Sequence, residues 1–348
     1  MSEITERTPQ AVSPAGGPSP GSAPSPLGRV LGVLARQREA TVFIVAVVLL
    51  LYFGIKYNST FVSQTNLSNL LSETAAPIIV IAIGEVFLLI CGEIDLSAGF
   101  VFTFAPFLMH YLIDFYGWPA WPAIIVALLF GVVVGWFNGF LTVTMGLPSF
   151  ITTLGTGFIL LGLTLTTSHA YPANIPASTV GIGRWLGAGV WSQFIIAIIL
   201  TVIFYLVLNR TRWGLYTIAT GGNALGAREA GIKTGRIKYG NFMLTSTLGA
   251  LVGLQTAWYT NTIDPSAGGY QPMFYAVTAA VIGGTAMLGG QGTIIGAFLG
   301  GIVLATLING LNVAGISANP LDIVFGAAIL LSMIANVRLA RLRAAGRN

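Results

Sequence analysis

The chain contains 348 residues, of which 55% are hydrophobic and only 8% are charged. Its 16 Lys and Arg and 11 Asp and Glu side chains are too few to cover a soluble protein of this size, so lipid must cover it instead. The single cysteine, Cys91, excludes an intramolecular disulfide, and the sequence has no Cys/His spacing typical of a zinc site. Although the formal net charge is +5, the positive residues lie between apolar segments and form no nucleic-acid-binding stripe. The composition therefore predicts an integral membrane protein with no metal site and no nucleic-acid partner.

Residues 1–40 are predicted to form a disordered, Pro- and Ser-rich cytoplasmic tail. The first 28 residues include six prolines and almost no large apolar side chain, so they cannot offset the entropy lost on ordering. The first apolar stretch begins near Thr41 and has no small-residue cleavage site, which indicates a transmembrane helix and not a signal peptide. We therefore expect a membrane domain over residues 41–338, followed by a basic cytoplasmic tail at 339–348.

Ten apolar stretches are long enough to cross a membrane as helices. They lie at Thr41–Tyr57, Thr74–Cys91, Ala98–Tyr116, Pro122–Met145, Phe150–Ser168, Val190–Leu208, Asn241–Thr260, Met273–Leu288, Thr293–Val313 and Leu321–Asn336. The sequence lacks the alternating polar and apolar strands that form outer-membrane barrels. The predicted fold is therefore an all-α integral membrane protein with about ten transmembrane helices.

The distribution of positive charge predicts the orientation of these helices. With a cytoplasmic amino terminus, 14 of the 16 Lys and Arg residues fall in cytoplasmic segments, and only Lys56 and Arg184 fall outside. The opposite orientation would reverse this bias. The positive-inside rule therefore predicts that both termini lie in the cytoplasm.

Many of the 44 glycines lie inside the apolar stretches at a spacing of four residues. This spacing occurs at Gly131, Gly135 and Gly139, at Gly249 and Gly253, and at Gly292, Gly296 and Gly300. Small residues four apart share one helix face and let two helices approach closely in lipid. We interpret these glycines as packing contacts of a tight helix bundle and not as ligand-binding residues.

One polar stretch, Cys91-Gly92-Glu93-Ile94-Asp95-Leu96-Ser97-Ala98-Gly99, lies between the second and third predicted spans, and Glu85 precedes it within the second span. A charged side chain at a helix centre costs about 2.5–3.5 kcal/mol, so three carboxylates within eleven residues require partners, water or a helix break. One interpretation is a tight cytoplasmic turn in which Asp95 caps the next helix. The other is a role in the transport path or gate. Glu85 is either a protonated or internally bonded carboxyl group in a helix contact or a functional residue.

The long predicted cytoplasmic loop, Asn209–Gly240, contains a short predicted helix. Asn223 is a favourable N-cap for this helix, and Gly231 is a favourable C-cap. The helix either docks against a partner protein or lies on anionic lipid headgroups, which the six positive residues of the loop would favour. Periodicity alone does not decide between these two hypotheses.

Three segments, in order along the chain, resemble signature segments of the membrane permeases of ABC sugar importers, the ribose, xylose, arabinose and galactose group. The first, Glu93–Gly99, is similar to the motif Gly-Ile-Asp-Leu-Ser-Val-Gly, with Glu93 where a glycine is more usual. The second, Gly222–Ile232, is similar to Gly-x-Asn-x-x-Ala-Ala-Arg-x-x-Gly-Ile. The third, Gly283–Thr293 followed by Asn309–Asn312, resembles the carboxyl-terminal signature of the family. The resemblance covers about residues 41–338.

The resemblance implies the permease subunit of an ATP-driven ABC importer that translocates a pentose or hexose. The implied partners are a second copy of the chain, a cytoplasmic ATPase that binds ATP and magnesium, and an extracytoplasmic sugar-binding protein. The implied location is a prokaryotic inner or plasma membrane, with lipid around the bundle. The loop helix then becomes the coupling helix seated on the ATPase, and its residues are Gly222, Asn223, Leu225, Arg228, Glu229, Ala230, Gly231 and Ile232.

We expect no enzymatic site and no cofactor in the chain itself. The stretch Gly226–Thr234 departs from the phosphate-binding loop pattern, and no serine or cysteine nucleophile lies in a recognisable motif. Polar residues within and between the spans are instead candidates for the translocation path or gate. They are Glu85, Glu93, Asp95, Ser97, Asn138, Gln255, Asn309 and Asn312.

Two alternatives stay open. In an ion- or proton-coupled secondary transporter, Glu85 would relay protons or bind a cation, and no ATPase would be needed. In an ABC permease for amino acids or nucleosides, the architecture would be related and the cargo different. The secondary transporter predicts that Glu85→Gln abolishes uptake while changes in the coupling loop do not.

Overall fold

The computed structural model describes residues 38–316 and five isolated positions beyond them, 323, 326, 327, 330 and 334. The predicted tails, 1–40 and 339–348, lie outside the described residues apart from positions 38–40. The predicted last span, Leu321–Asn336, is described only at the five isolated positions. Its course therefore stays a prediction.

The described part of the chain is mainly helical, as the apolar stretches predict. Its α-helices are α1 Arg38–Lys56, α2 Asn58–Phe61, α3 Gln64–Ser68, α4 Ala76–Ile90, α5 Ala98–His110, α6 Ala120–Gly139, α7 Ser149–Ser168, α8 Val180–Gly183, α9 Ser192–Arg210, α10 Arg212–Gly222, α11 Ala224–Glu229, α12 Thr234–Thr260, α13 Tyr270–Ile282 and α14 Ile294–Val313. Helical turns of π type lie at Asn69–Ala75, Tyr111–Phe115, Phe140–Thr144 and Arg184–Ala188, and one 3₁₀ turn lies at Ala177–Thr179. Two short strands, β1 Ala173–Asn174 and β2 Thr262–Ile263, pair antiparallel with Ala173 opposite Ile263.

Within the described residues, seven helical segments are long and apolar enough to cross a membrane. They are Glu39–Lys56, Gln64–Ile90, Ala98–Phe115, Ala120–Thr144, Ser149–Ser168, Ser192–Arg210 and Ile294–Val313, and each overlaps a predicted span. The finding confirms a multi-pass helical membrane protein. The count of about ten spanning helices stays a prediction.

Two further predicted spans differ from these seven. The predicted span Asn241–Thr260 lies inside α12, which has 27 residues and is long enough, but its Ser, Thr, Asn and Gln side chains make it less apolar than the seven. The predicted span Met273–Leu288 is not one helix, because α13 ends at Ile282 after 13 residues. A helix of that length rises about 20 Å, which is less than the hydrocarbon thickness of a bilayer.

Helix α4 forms the centre of the bundle. Every residue from Ile78 to Ile90 is buried, and α9, α12, α13 and α14 pack around it. A helix that is apolar on all sides is stable only when other helices or lipid surround it completely. By contrast, α1 and α9 expose large apolar side chains such as Val48 and Ile199, so these two helices face lipid.

The glycines at four-residue spacing lie at helix contacts, as predicted. A Cβ added to Gly131 of α6 would lie 2.7 Å from the carbonyl oxygen of Ser246 in α12. The same face continues at Gly135, where a Cβ would lie 2.5 Å from the Cα of Met243. On the other side of α12, a Cβ at Gly249 would lie 2.5 Å from the carbonyl oxygen of Ala98. Real Cβ atoms do not approach backbone this closely, so glycine allows α12 to pack directly against both α5 and α6.

Candidate functional site

The turn Cys91–Ser97, which joins α4 to α5, places a buried carboxylate at its centre. Gly92 adopts a left-handed conformation with φ of 74°, and this allows the chain to turn immediately after α4. The Oδ1 atom of Asp95 accepts hydrogen bonds from the backbone N–H and the hydroxyl group of Ser97, at 2.9 and 2.6 Å. Both Asp95 and Ser97 are completely buried. Asp95 and Ser97 therefore face the interior of the protein and not solvent.

Two other helices supply polar partners to Asp95 and Ser97, and a third helix bonds one of these partners. The hydroxyl group of Ser246 in α12 donates to Asp95 Oδ2 at 2.6 Å. The amide of Asn138 in α6 donates to Ser97 Oγ at 2.7 Å and to Asp95 Oδ1 at 3.3 Å. Thr156 of α7 donates to Asn138 Oδ1 at 2.7 Å. We call Asp95, Ser97, Asn138, Thr156 and Ser246 the Asp95 network. It connects the turn to α6, α7 and α12 in the interior of the bundle.

Glu85 contacts the Asp95 network from α4. Its Oε1 atom accepts the backbone N–H of Asp95 at 3.3 Å, and the side chain is completely buried. Its Oε2 atom is buried without a hydrogen-bond partner among the described residues. Within the same part of the chain, neither Glu85 nor Asp95 forms an ion pair with Lys, Arg or His. Uncompensated buried polar atoms are costly, and they are enriched at sites that change state or bind a ligand.

The capping hypothesis for Asp95 is correct only in part. Its carboxylate does bond the N–H two residues further on, as a helix cap does. However, α5 begins at Ala98 with Ser97 at the N-cap position, and the Ser97 side chain makes no cap hydrogen bond. Asp95 therefore stabilises contacts between helices more than the end of one helix.

Glu93, where the family motif more usually has glycine, forms an ion pair with Lys238 of α12. The side chains are 12% and 24% exposed, so the pair lies at the edge of the bundle. Glu93 also lines a cavity of about 420 Å³ next to the turn, together with Phe150, Phe274 and Thr278. The ion pair explains how a carboxylate is accommodated at this position in a largely apolar region.

The predicted coupling segment contains the short helix that its cap residues indicate. The Oδ1 atom of Asn223 accepts the N–H of Gly226 at 3.0 Å, and Gly231 is left-handed with φ of 83°. The segment Asn209–Gly240 is otherwise more helical than a loop, because α10 ends and α12 begins within it. Leu225 is 68% exposed, whereas Arg228 Nε donates to Thr234 Oγ1 at 3.0 Å. The helix therefore presents an apolar side chain to whatever lies beyond it.

The three motifs identified in the sequence meet around the last residue of α4. The carbonyl oxygen of Ile90 accepts the N–H of Gly290, in the third motif, at 2.8 Å. Gly221, next to the second motif, lies so close that a Cβ would overlap the same Ile90 carbonyl group. The first motif follows Ile90 directly. Segments that are far apart in the sequence thus form one junction at the base of α4.

The remaining candidate residues lie away from this junction. The amide of Gln255 is buried and donates to the carbonyl oxygen of Leu186 at 2.9 Å. Asn309 and Asn66 exchange two amide hydrogen bonds of 2.9 and 3.0 Å, which join α14 to α3. Asn312 is exposed. None of these three candidates contacts the Asp95 network within the described residues.

Sequence reasoning missed Ser246, Thr156 and Lys238 as functional candidates. Serine and threonine are common in membrane helices, where they bond a carbonyl of the preceding turn, so their presence carries little signal. The sequence position of Lys238 indicates only a positive charge on the cytoplasmic side. Of the described residues, no group of three or more His, Cys, Asp or Glu side chains is arranged to hold a metal ion.

Comparison with known proteins identifies the family. The family model described as branched-chain amino acid transport system, permease component, matches residues 66–333. The xylose/arabinose import permease of Sulfolobus acidocaldarius is 36% identical over 310 residues, which is 86% of this chain and 85% of the relative. The ribose import permease of Bacillus subtilis is 32% identical over 280 residues, covering 80% of this chain and 86% of the relative. The fructose import permease of Rhizobium meliloti is 29% identical over 303 residues, covering 84% of each chain.

No solved structure matches the chain. The matches to curated relatives extend over most of both chains, and they confirm the resemblance of the three sequence motifs. The chain belongs to the family of membrane permeases of ABC importers, in its sugar-importing group.

Proposed function

We propose that the chain is the transmembrane permease subunit of an ATP-driven ABC importer and translocates a monosaccharide, either a pentose or a hexose. The observation that carries the proposal is the similarity, over most of the chain, to import permeases named for xylose and arabinose, ribose and fructose. The protein is a multi-pass membrane protein of a prokaryotic inner or plasma membrane. Amino acids or nucleosides are less favoured cargoes, because these named relatives carry sugars.

The proposed topology has about ten helices with both termini in the cytoplasm. It is supported by the seven apolar helices, by the length of α12 and by the distribution of Lys and Arg. In this topology, α11 and the turn Cys91–Ser97 face the cytoplasm. The short strands β1 and β2 lie on the opposite side.

Membership in this family implies an ATPase partner and a partner that binds the sugar outside the cell. We further propose that two copies of the permease form the transport path between them. The chain itself hydrolyses nothing, and ATP and magnesium bind to the ATPase. The segment Gly222–Ile232 docks on the ATPase, and the exposed side chain of Leu225 supplies an apolar anchor there.

Among the candidate path residues, we assign a gating role to the turn Cys91–Ser97. Glu85 accepts the backbone N–H of Asp95, and neither carboxylate has a bonded cation among the described residues, so this region is poised for rearrangement. Gln255 and Asn309 hold helices together instead, since their amide groups are already bonded within the chain.

The test is purification in mild detergent together with the candidate ATPase, followed by reconstitution in liposomes. We expect ATP hydrolysis that rises when a sugar-loaded binding protein is added, and sugar uptake that requires ATP. The variant Glu85→Gln should still import sugar at a measurable rate. Uptake that needs only a proton or cation gradient, and that Glu85→Gln abolishes, would instead identify an ion-coupled transporter.

A further inference from the structure

Helix α12 connects the proposed coupling segment to the turn Cys91–Ser97 through contacts along one face. At its first residue, Thr234 Oγ1 accepts a hydrogen bond from Arg228 of α11. Lys238 pairs with Glu93 one turn later, and Ser246 bonds Asp95 two turns after that. Residues spaced by three, four or eight positions share a helix face. One rigid helix, about 18 Å long from Thr234 to Ser246, thus connects α11 with the Asp95 network.

Asn241 adds further hydrogen bonds between α12 and the end of α4, next to the contact between Lys238 and Glu93. The amide of Asn241, one turn beyond Lys238, donates to the carbonyl oxygen of Phe87 at 3.1 Å and to Cys91 Sγ at 3.4 Å. Both acceptors lie in the last turn of α4 or directly after it. These buried hydrogen bonds therefore hold the carboxyl-terminal end of α4 against α12.

The Lys238–Glu93 pair differs from these buried contacts because it is charged and partly exposed. The backbone N–H of Glu93 bonds the carbonyl oxygen of Leu88 at 3.0 Å, so the position of Glu93 is fixed relative to α4. The pair is mostly shielded from water, so removing either partner leaves the other charge without compensation in a largely apolar region. Among the described hydrogen bonds and ion pairs between α12 and the turn, the Lys238–Glu93 pair lies nearest to the coupling segment. This pair is therefore the charged contact by which α12 holds the turn in place.

We propose that Glu93 and Lys238 are positioning residues that make the turn Cys91–Ser97 move together with α11 and α12 when the ATPase acts. The proposal rests on the proposed function of the chain as an ABC permease. It adds a specific charged link between ATP hydrolysis and the gate.

The test uses charge reversal in the complete transporter reconstituted with its ATPase and binding protein. The variants are Glu93→Lys, Lys238→Glu and the double variant that carries both changes. The readout is the number of sugar molecules imported for each ATP hydrolysed. Each single variant should hydrolyse ATP and lose at least about fivefold in this ratio, the lower end of typical coupling effects. The double variant restores the pair with its charges exchanged, so its ratio should return to within about twofold of wild type.

Two exposed charges serve as matched controls. Glu73→Lys and Arg184→Glu make the same charge changes at exposed positions far from the turn, and their ratios should equal that of wild type. Where a reversed charge prevents folding, Glu93→Gln and Lys238→Gln replace it, and the same fivefold loss is expected.

The outcomes separate the two proposals. Single variants with the wild-type ratio would overturn the link between the pair and coupling. A double variant that folds but stays as poor as the single variants would show that each residue acts separately, which also overturns it. If the wild-type complex itself imports no sugar with ATP, the proposed function fails, and the variants are not needed to see this.

Discussion

Replacing Asp95 with Ala removes the acceptor at the centre of the Asp95 network. Four hydrogen bonds end on this carboxylate, two from Ser97, one from Asn138 and one from Ser246. In the variant, the hydroxyl group of Ser97 and the amide of Asn138 keep their mutual bond of 2.7 Å. The hydroxyl group of Ser246 can turn to the carbonyl group four residues earlier in α12. The backbone N–H of Ser97 is then left without a partner in the protein interior, and the Ser97 hydroxyl group also loses its acceptor.

The expected loss of stability follows from these contacts. The two bonds to α6 and α12 contribute about 0.6 kcal/mol each, the average for side-chain bonds between membrane helices. The stranded N–H of Ser97 adds about 1–3 kcal/mol. Asp95→Ala should therefore lower the free energy of unfolding by about 2–4 kcal/mol. Asp95→Asn keeps an acceptor for Ser97 and an amide that can donate to Ser246, so it should cost less than about 1 kcal/mol.

The assay is unfolding of the purified permease in mixed micelles as the fraction of SDS rises, followed by tryptophan fluorescence. Asp264 provides a matched control, because it accepts bonds from the N–H and hydroxyl group of Ser266 at 2.8 and 2.7 Å, the same local motif. That motif is exposed, so Asp264→Ala should change stability by less than about 1 kcal/mol. Equal effects of Asp95→Ala and Asp264→Ala would refute the argument that the network between helices, and not the local turn, gives Asp95 its importance.

Two further predictions concern packing and burial. Gly135→Ala should destabilise the protein by about 1–3 kcal/mol, because the new methyl group overlaps the Phe242 carbonyl group and forces α6 away from α12. In Gly155→Ala, the new methyl group has no atom within 4 Å, so this variant should stabilise α7 by up to about 1 kcal/mol in the same assay. If Gly135→Ala and Gly155→Ala changed the free energy of unfolding in the same direction, the packing argument would be contradicted. Cys91, only 6% exposed and contacted by Asn241, should resist maleimide in intact membranes and react fully in SDS. Rapid labelling of native protein would show that this region opens.

The sequence predicts most membrane spans correctly because a long apolar run has one stable arrangement in lipid. The same rule fails at Met273–Leu288, where the run is apolar throughout and yet α13 ends at Ile282. Composition alone cannot tell a helix from an apolar loop. The helix ends because Gly284 is left-handed with φ of 98°, and the N–H of Thr285 bonds the carbonyl oxygen of Ala280 at 3.0 Å, as at other glycine-capped helix ends.

The residues of the candidate site could also be predicted from the sequence only in part. Asp95, Ser97 and Glu85 are conspicuous because polar residues are costly in an apolar segment, and the structure places all three together. Ser246 contributes the shortest contact to Asp95 from α12, yet it is 151 positions away along the chain. The sequence does not distinguish a serine that bonds a carbonyl group of its own helix from a serine that bonds a distant carboxylate. Only the packing of α12 against α5 and α6 distinguishes them.

The contact of Gly221 and Gly290 with the Ile90 carbonyl group is made by main chain on each side. This junction requires glycine at position 221, because a Cβ there would overlap the Ile90 carbonyl group, but it places no requirement on the exposed side chains of α11. The surface of α11 can therefore diverge to suit a different ATPase while the junction keeps its shape. Conversely, substitutions that adapt the permease to another sugar need not disturb it. The part of the chain that faces the ATPase and the membrane bundle are thus joined through backbone atoms of Ile90, Gly221 and Gly290.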